Sequence, residues 1–200
     1  MIDKFSDIIA SKIRENNRDI TEEKAEIISY GANILIFQTI ITALIFLVAF
    51  LLGIVIYAAI AFVVIGLLRT TAGGAHSRTR TQCIITHLSS IFGTIILSGF
   101  IKYSSLIPSI VVFTVSILVV LKYAPGETLD GPSYSDRKKS IQKTISCVFL
   151  ITFFTISLFM KNLNLQIYYI IIISSFIPII SLSPAGYMIF GCKNKQTDKE

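Results

Sequence analysis

His76 and Cys83 are the residues of this chain whose types and placement offer chemistry. They stand in Gly73-Gly74-Ala75-His76-Ser77-Arg78-Thr79-Arg80-Thr81-Gln82-Cys83, a short basic loop between two long hydrophobic segments. A thiol and an imidazole held together are the minimum parts for cysteine nucleophile chemistry. On one continuous helix the two would share a face, yet stand about 10 Å apart along the axis, too far for a hydrogen bond. A catalytic pair therefore requires a loop that folds back. Gly73 and Gly74 supply backbone freedom just ahead of His76. Thr81 is placed to N-cap the next helix, with Cys83 in its first turn, where the helix dipole, Arg78 and Arg80 favour a thiolate. The alternative makes Cys83 a small buried apolar side chain and His76 an ordinary loop residue.

His87 follows Cys83 by one turn. An ionisable residue one turn inside a hydrophobic span usually faces protein or a watery cavity. His76, Cys83 and His87 offer donor atoms for zinc, but no acidic partner or second Cys/His cluster accompanies them. His87 reads better as a helix–helix hydrogen bond or a cavity-lining group. Cys147 falls inside a later span and Cys192 just past the last one, so all three cysteines are expected as free thiols.

The elements that must position this loop are membrane helices. The chain has 200 residues, 53% of them hydrophobic and only 15% charged, and its mean hydropathy is +0.73. Apolar runs at roughly 31–51, 53–69, 84–101, 105–122, 144–160 and 167–190 each approach the length that crosses a hydrocarbon core as a helix. Six spans are expected, the second and fifth being short. Gly53 is the only sharp break between the first two. Pro178 and Pro184 are expected to kink the last span, with Ser181 and Ser183 available to the freed carbonyls. Ahead of the spans, Ile2, Phe5, Ile8, Ile9 and Ile13 recur at helical spacing among charged residues, the pattern of a helix lying in the membrane interface. Asn16-Asn17-Arg18-Asp19 breaks that helix, and Thr21 is an N-cap for the next, with Glu22 and Glu23 in its first turn. The expected fold is an all-α integral membrane protein, a single embedded domain over residues 1–200. Its parts are an interfacial helix over 1–20, a transmembrane bundle over 21–190 and a tail over 191–200.

Orientation follows from the basic residues. They crowd into the N-terminal segment, the loop after span two (Arg69, Arg78, Arg80), the loop after span four (Lys122, Arg137, Lys138, Lys139, Lys143) and the tail. Of the eighteen Lys and Arg, only Lys102 and Lys161 fall in the other connections. Both termini and the His76–Cys83 loop are therefore expected in the cytoplasm of a multi-pass cell-membrane protein. The net charge of +6 is explained by these membrane flanks, and nucleic-acid binding is not expected. The loop after span four contains Pro125-Gly126, which fits the centre of a type II turn, and Gly131-Pro132, a second break.

Taken together, Arg69, Gly74-Ala75-His76, the six-residue gap to Cys83, and Tyr123-Ala124-Pro125 with Thr128 and Pro132 resemble the AgrB family. These are membrane peptidases that process the precursors of cyclic autoinducing peptides in Gram-positive quorum sensing. Chain length, hydrophobic layout and the amphipathic N-terminus agree with the family as well. The resemblance implies that Cys83 is the nucleophile and His76 its general base and later proton donor. It implies as substrate a short precursor peptide lying on the inner leaflet. Attack would remove the peptide's C-terminal tail and leave an acyl-enzyme thioester, which a cysteine or serine of the peptide would open to close a thiolactone or lactone ring. Arg69 would clamp the acidic tail, Gly74 would meet a backbone-shape requirement, and Tyr123 and Pro125 would support the site. Neither cofactor nor metal is implied; the partners are the precursor and the lipid bilayer. An orienting third residue has no obvious position, with Gln82, Glu127 and Asp130 as candidates, and amides at the start of span three are candidates for an oxyanion hole. Two other classes fit the layout: a small membrane carrier, and a scaffold that binds a peptide without cutting it. Homo-oligomerisation is compatible with the layout but has no signature in it.

Overall fold

A computed structural model of the chain describes residues 2–17, 21–75, 79–103, 105–126 and 135–192. They form α1 (Ile2–Asn16), α2 (Glu22–Leu51), α3 (Val55–Ala72), α4 (Arg80–Phe100), α5 (Ile107–Tyr123), α6 (Asp136–Met160), α7 (Leu165–Leu182) and α8 (Pro184–Phe190). Among the described residues the fold is all-α. Helices α2, α3, α4, α6 and α7 are long and apolar enough to cross a membrane, and α5 is a shorter apolar helix. The chain divides into two compact units, Met1–Gly53 and Ile54–Glu200.

In the first unit α2 opens as expected at Thr21, whose side chain accepts from the Lys24 amide. Glu22 and Glu23 occupy the first turn, where the helix dipole favours negative charge. Helix α1 meets α2 through its polar face. Asn33 Nδ2 donates to Asp3 Oδ1 at 2.7 Å, and Ser29 Oγ donates to Asp7 Oδ1 at 2.7 Å. Small Ser6 and Ala10 are buried, whereas Phe5, Ile8, Ile9 and Ile13 stay exposed. The apolar stripe read from the sequence is therefore the outward face of α1, as a helix in a membrane interface requires.

In the second unit α7 is central. Of its most apolar stretch 56% is buried, against 33% in α3 and 22% in α4 and α6, so the other helices pack around it. Val64 and Leu68 of α3, Val120 of α5, Leu150 of α6 and Ile179 of α7 form the core. At one end of α7, Tyr168 Oη donates to Ser109 Oγ at 2.5 Å and Tyr169 Oη donates to the Tyr103 carbonyl at 2.5 Å. The residues that follow α3 and α5 meet at the opposite end, beside Ser181. Helix α5 thus runs the full distance between the two levels with only 17 residues, a length of roughly 25 Å.

Three expectations about the spans are corrected. The fifth span is short only in its apolar run: α6 is a 25-residue helix starting at Asp136, because Arg137 to Lys139 are good helix formers outside a membrane. The shortest of the six long apolar helices α2 to α7 is α5. The last span is not one kinked helix over 167–190. Pro178 lies within α7, but at Pro184 the chain ends one helix and starts another. Ser183 serves both pieces: its Oγ donates to the Ile180 carbonyl at 2.7 Å and accepts from the Gly186 amide at 3.3 Å. Ile180 carries the carbonyl that Pro184 cannot bond.

Because side-chain bonds of about 1 kcal/mol each help to hold α1, and Asn33 donates to both Asp3 and Ser6, Asn33→Ala is expected to loosen it without disturbing α2. Limited trypsin digestion of the purified protein should then cut at Lys12 and Arg14 about fivefold faster.

Candidate active site

The site is built where α3 ends. Gly73 leaves the helix at φ 71° and Gly74 follows at φ 120°, a conformation that strains any residue with a side chain. Gly74 and Ala75 are buried, so their backbone groups need protein partners. They find them on three elements. The Gly74 amide donates to the Gly126 carbonyl at 3.4 Å, and the Ala75 amide donates to the Ser181 carbonyl at 3.0 Å. The Ala75 carbonyl accepts from Arg69 Nη2 at 3.0 Å. In return the Gly126 amide donates to the Ala72 carbonyl at 2.8 Å, completing a parallel bridge between Gly73 and Gly126. The two loops singled out in the sequence are therefore joined through their backbones.

The break at Pro184 supplies one of these acceptors. In a continuous helix the Ser181 carbonyl would be taken by the amide four residues on; with α7 ending at Leu182, it receives Ala75 instead. Glycine is demanded by closeness at the seam. A Cβ on Gly126 would come within 2.7 Å of both the Gly74 nitrogen and Tyr187 Oη, and one on Gly186 would strike the Ile180 carbonyl. The type II turn expected at Pro125-Gly126 is not formed. Gly126 is absent from the positive-φ residues that such a turn needs, and it lies against the Gly73-Gly74 backbone instead. The Ala124–Pro125 peptide bond is cis, and Pro125 is buried. Tyr123 closes α5 and packs against the core, beneath the Lys122 ammonium.

Helix α4 begins two residues earlier than expected. Its N-cap is Thr79, whose Oγ1 accepts from the Gln82 amide at 3.2 Å. Thr79-Arg80-Thr81-Gln82 matches the Ser/Thr-x-x-Glu/Gln capping pattern, whereas Thr81 has Ile84 in the corresponding place. Cys83 consequently sits at the end of the first turn, with its own amide bonded to the Thr79 carbonyl at 3.0 Å. The amides of Gln82 and Cys83 are committed within the helix, which removes both from the oxyanion-hole candidates. Cys83 is half-buried. The nearest imidazole among the described residues is His87, whose Nδ1 lies 3.6 Å from Cys83 Sγ and 2.9 Å from the Cys83 carbonyl oxygen. His87 thus bonds within its own helix and makes no helix–helix hydrogen bond there. Arg69 lies within electrostatic reach of both Cys83 and His87.

His76 and Arg78 lie outside the described residues, as do Glu127, Thr128, Asp130, Gly131 and Pro132. Of the other residues singled out in the sequence, Arg69, Gly74 and Pro125 flank one seam, and Arg69 connects that seam electrostatically to Cys83. Sequence reasoning missed the parts played by Ser181, Gly186 and His87. Helical spacing places His87 on the Cys83 face, but nothing local ties Ser181 or Gly186 to a loop so distant in the chain. Among the described residues no three His, Cys, Asp or Glu side chains converge as metal ligands.

A family model for accessory gene regulator B matches residues 6–182, which include Arg69, Gly74, Cys83, His87, Gly126 and Ser181 but not Gly186. The chain belongs to the AgrB family. It is 32% identical over 177 residues to AgrB-like proteins of two Clostridium perfringens strains, SM101 and 13, covering 84% of this chain and 79% of each relative. An AgrB-like protein of Clostridium acetobutylicum is 23% identical over 197 residues, covering 98% of this chain and 91% of the relative. No solved structure matches. The AgrB match begins within α1 and ends at the last residue of α7, so it includes both Gly74 and its partner Ser181.

Closeness at the seam gives a contrast between glycines. Gly126→Ala and Gly186→Ala should each cost about 1–3 kcal/mol through overpacking. Gly66→Ala and Gly93→Ala, where a Cβ meets nothing within 4 Å, should be neutral or stabilise by up to about 1 kcal/mol. Thermal unfolding in detergent, followed by circular dichroism, separates the two pairs.

Proposed function

We propose that this AgrB family member is a membrane cysteine endopeptidase. It removes the C-terminal tail of a quorum-sensing propeptide and forms a thiolactone or lactone ring through an acyl-enzyme thioester. One observation carries the reading: Arg69 holds the carbonyl of Ala75, the residue before His76, while its charge reaches Cys83. A loop that presents a base and a helix that presents a thiol thus have one cation in common.

His76 takes the Cys83 proton, and the thiolate attacks the scissile carbonyl of the precursor. The tetrahedral intermediate collapses, and the tail leaves as an amine with the proton that His76 returns. Cys83 Sγ is then acylated by the peptide's new C-terminus. A thiol or hydroxyl within the peptide adds to that thioester, and the ring closes as Cys83 departs. Water competes with this last step, so the acyl-enzyme must stay dry; the apolar helices around the site suit that need. Arg69 acts as the anchor of the His76 loop, a better-supported role than a clamp on the acidic tail. The distribution of Lys and Arg supports a site that opens to the cytoplasm, with the precursor arriving along the inner leaflet.

Intact mass spectrometry of the reconstituted protein, mixed with a precursor peptide encoded beside its gene, tests the reading. The expected result is a mass gain equal to the precursor minus its tail. Cys83→Ala and His76→Ala should lower tail release at least about a thousandfold, while Cys147→Ala and Cys192→Ala retain it. Tail release that survives in Cys83→Ala would end the peptidase reading. Peptide binding without adduct, tail release or ring would favour a scaffold.

A further inference from the structure

The Cys83 sulfur has an imidazole beside it that the mechanism above leaves unused. His87 Nδ1 stands 2.9 Å from the Cys83 carbonyl oxygen and 3.6 Å from Cys83 Sγ. A carbonyl oxygen only accepts hydrogen bonds, so the nitrogen facing it carries the hydrogen. A protonated Nδ1 cannot take the thiol proton; toward sulfur it can only donate. That excludes His87 Nδ1 as the general base in this arrangement and gives it a different task. A purely structural bond to a carbonyl one turn back needs no imidazole: Thr86, the neighbouring residue, makes one to Gln82 with its hydroxyl at 2.8 Å. The imidazole adds an N–H placed against the one nucleophilic atom of the site.

We infer that His87 is a further catalytic residue, a fixed hydrogen-bond donor that holds the Cys83 sulfur and stabilises the negative charge it carries. The inference rests on the peptidase reading and deepens it. Charge resides on the sulfur twice in the reaction. It does so first when the thiolate attacks the scissile carbonyl. It does so again at ring closure: the peptide's own nucleophile bonds to the thioester carbon, the C–S bond to Cys83 breaks, and its electron pair stays on Sγ. The proton released by that nucleophile passes to His76 and from there to the sulfur. The one Nδ1–H is shared between the carbonyl oxygen and Sγ, and it serves both moments by tilting toward the sulfur as charge gathers there. The two histidines then divide the work. His76 moves protons, and His87 keeps its own while steadying the sulfur.

The test uses the full chain in lipid nanodiscs with Cys147→Ala and Cys192→Ala, so that Cys83 is the only thiol. Two rates are read at pH 7: alkylation of Cys83 by iodoacetamide, and single-turnover formation of the acyl-enzyme from the precursor peptide. His87→Leu should slow both about ten- to a hundredfold, the range for a hydrogen bond to a charged group. His87→Asn places an amide N–H where Nδ1–H stood and should restore most of each rate. Wild-type rates in His87→Leu, or an Asn variant as slow as the Leu variant, would overturn the inference. Alkylation needs no peptide, so its dependence on residue 87 is judged separately from the peptidase reading. Loss of that reading would appear instead as tail release surviving in Cys83→Ala.

Discussion

A backbone that leaves a helix inside apolar surroundings must find a partner for each N–H and C=O it exposes, since water is not there to supply one. Gly74 and Ala75, which follow α3, meet this demand on three elements: the Gly126 carbonyl after α5, the Ser181 carbonyl at the end of α7 and the Arg69 guanidinium. Much else follows from it. The seam requires a residue without a Cβ at Gly74, at Gly126 and at Gly186, and it requires α7 to stop where it does. The packing of α3, α5 and α7 around one core brings their ends to a common level, which makes the demand satisfiable.

The charge at the site is arranged by the same bonds. Arg69 lies in the last turn of α3, where the helix dipole favours a cation, and its contact with Ala75 fixes the guanidinium in place. The guanidinium that holds Ala75 is also within electrostatic reach of the Cys83 thiol. The Cys83 amide is spent on the Thr79 carbonyl, and among the described residues His87 of α4 stands beside the sulfur. The residues singled out in the sequence thus gather where one end of a helical bundle is tied together.

The helices were legible in the sequence because a membrane span must be long and apolar, and Thr21 was legible because a capping side chain acts over three residues. Residues acting at short range were readable in principle too. The Thr79-x-x-Gln82 pattern marks the true start of α4, and a residue four beyond Cys83 must lie on its face. What the sequence concealed were meetings between distant segments. Gly126 looked like a turn glycine, since both a turn and a close approach select for the missing Cβ, and only the position of Gly74 tells them apart. Pro184 looked like a kink for a similar reason. Whether a proline bends a helix or ends it depends on what claims the carbonyls before it, here Ser183 and Ala75.

The pairing of Ala75 with Ser181 also has a consequence for biosynthesis. A ribosome makes Gly74 and Ala75 early and Ser181 near the end, so the loop emerges long before its last backbone partner exists. Until α7 has entered the bundle and α8 has turned back at Pro184, the peptide ahead of His76 lacks one of the bonds that hold it. The order of translation therefore runs against the order in which the site needs its parts. A nascent or truncated chain carries the Cys83 thiol but lacks the backbone partner that holds Ala75.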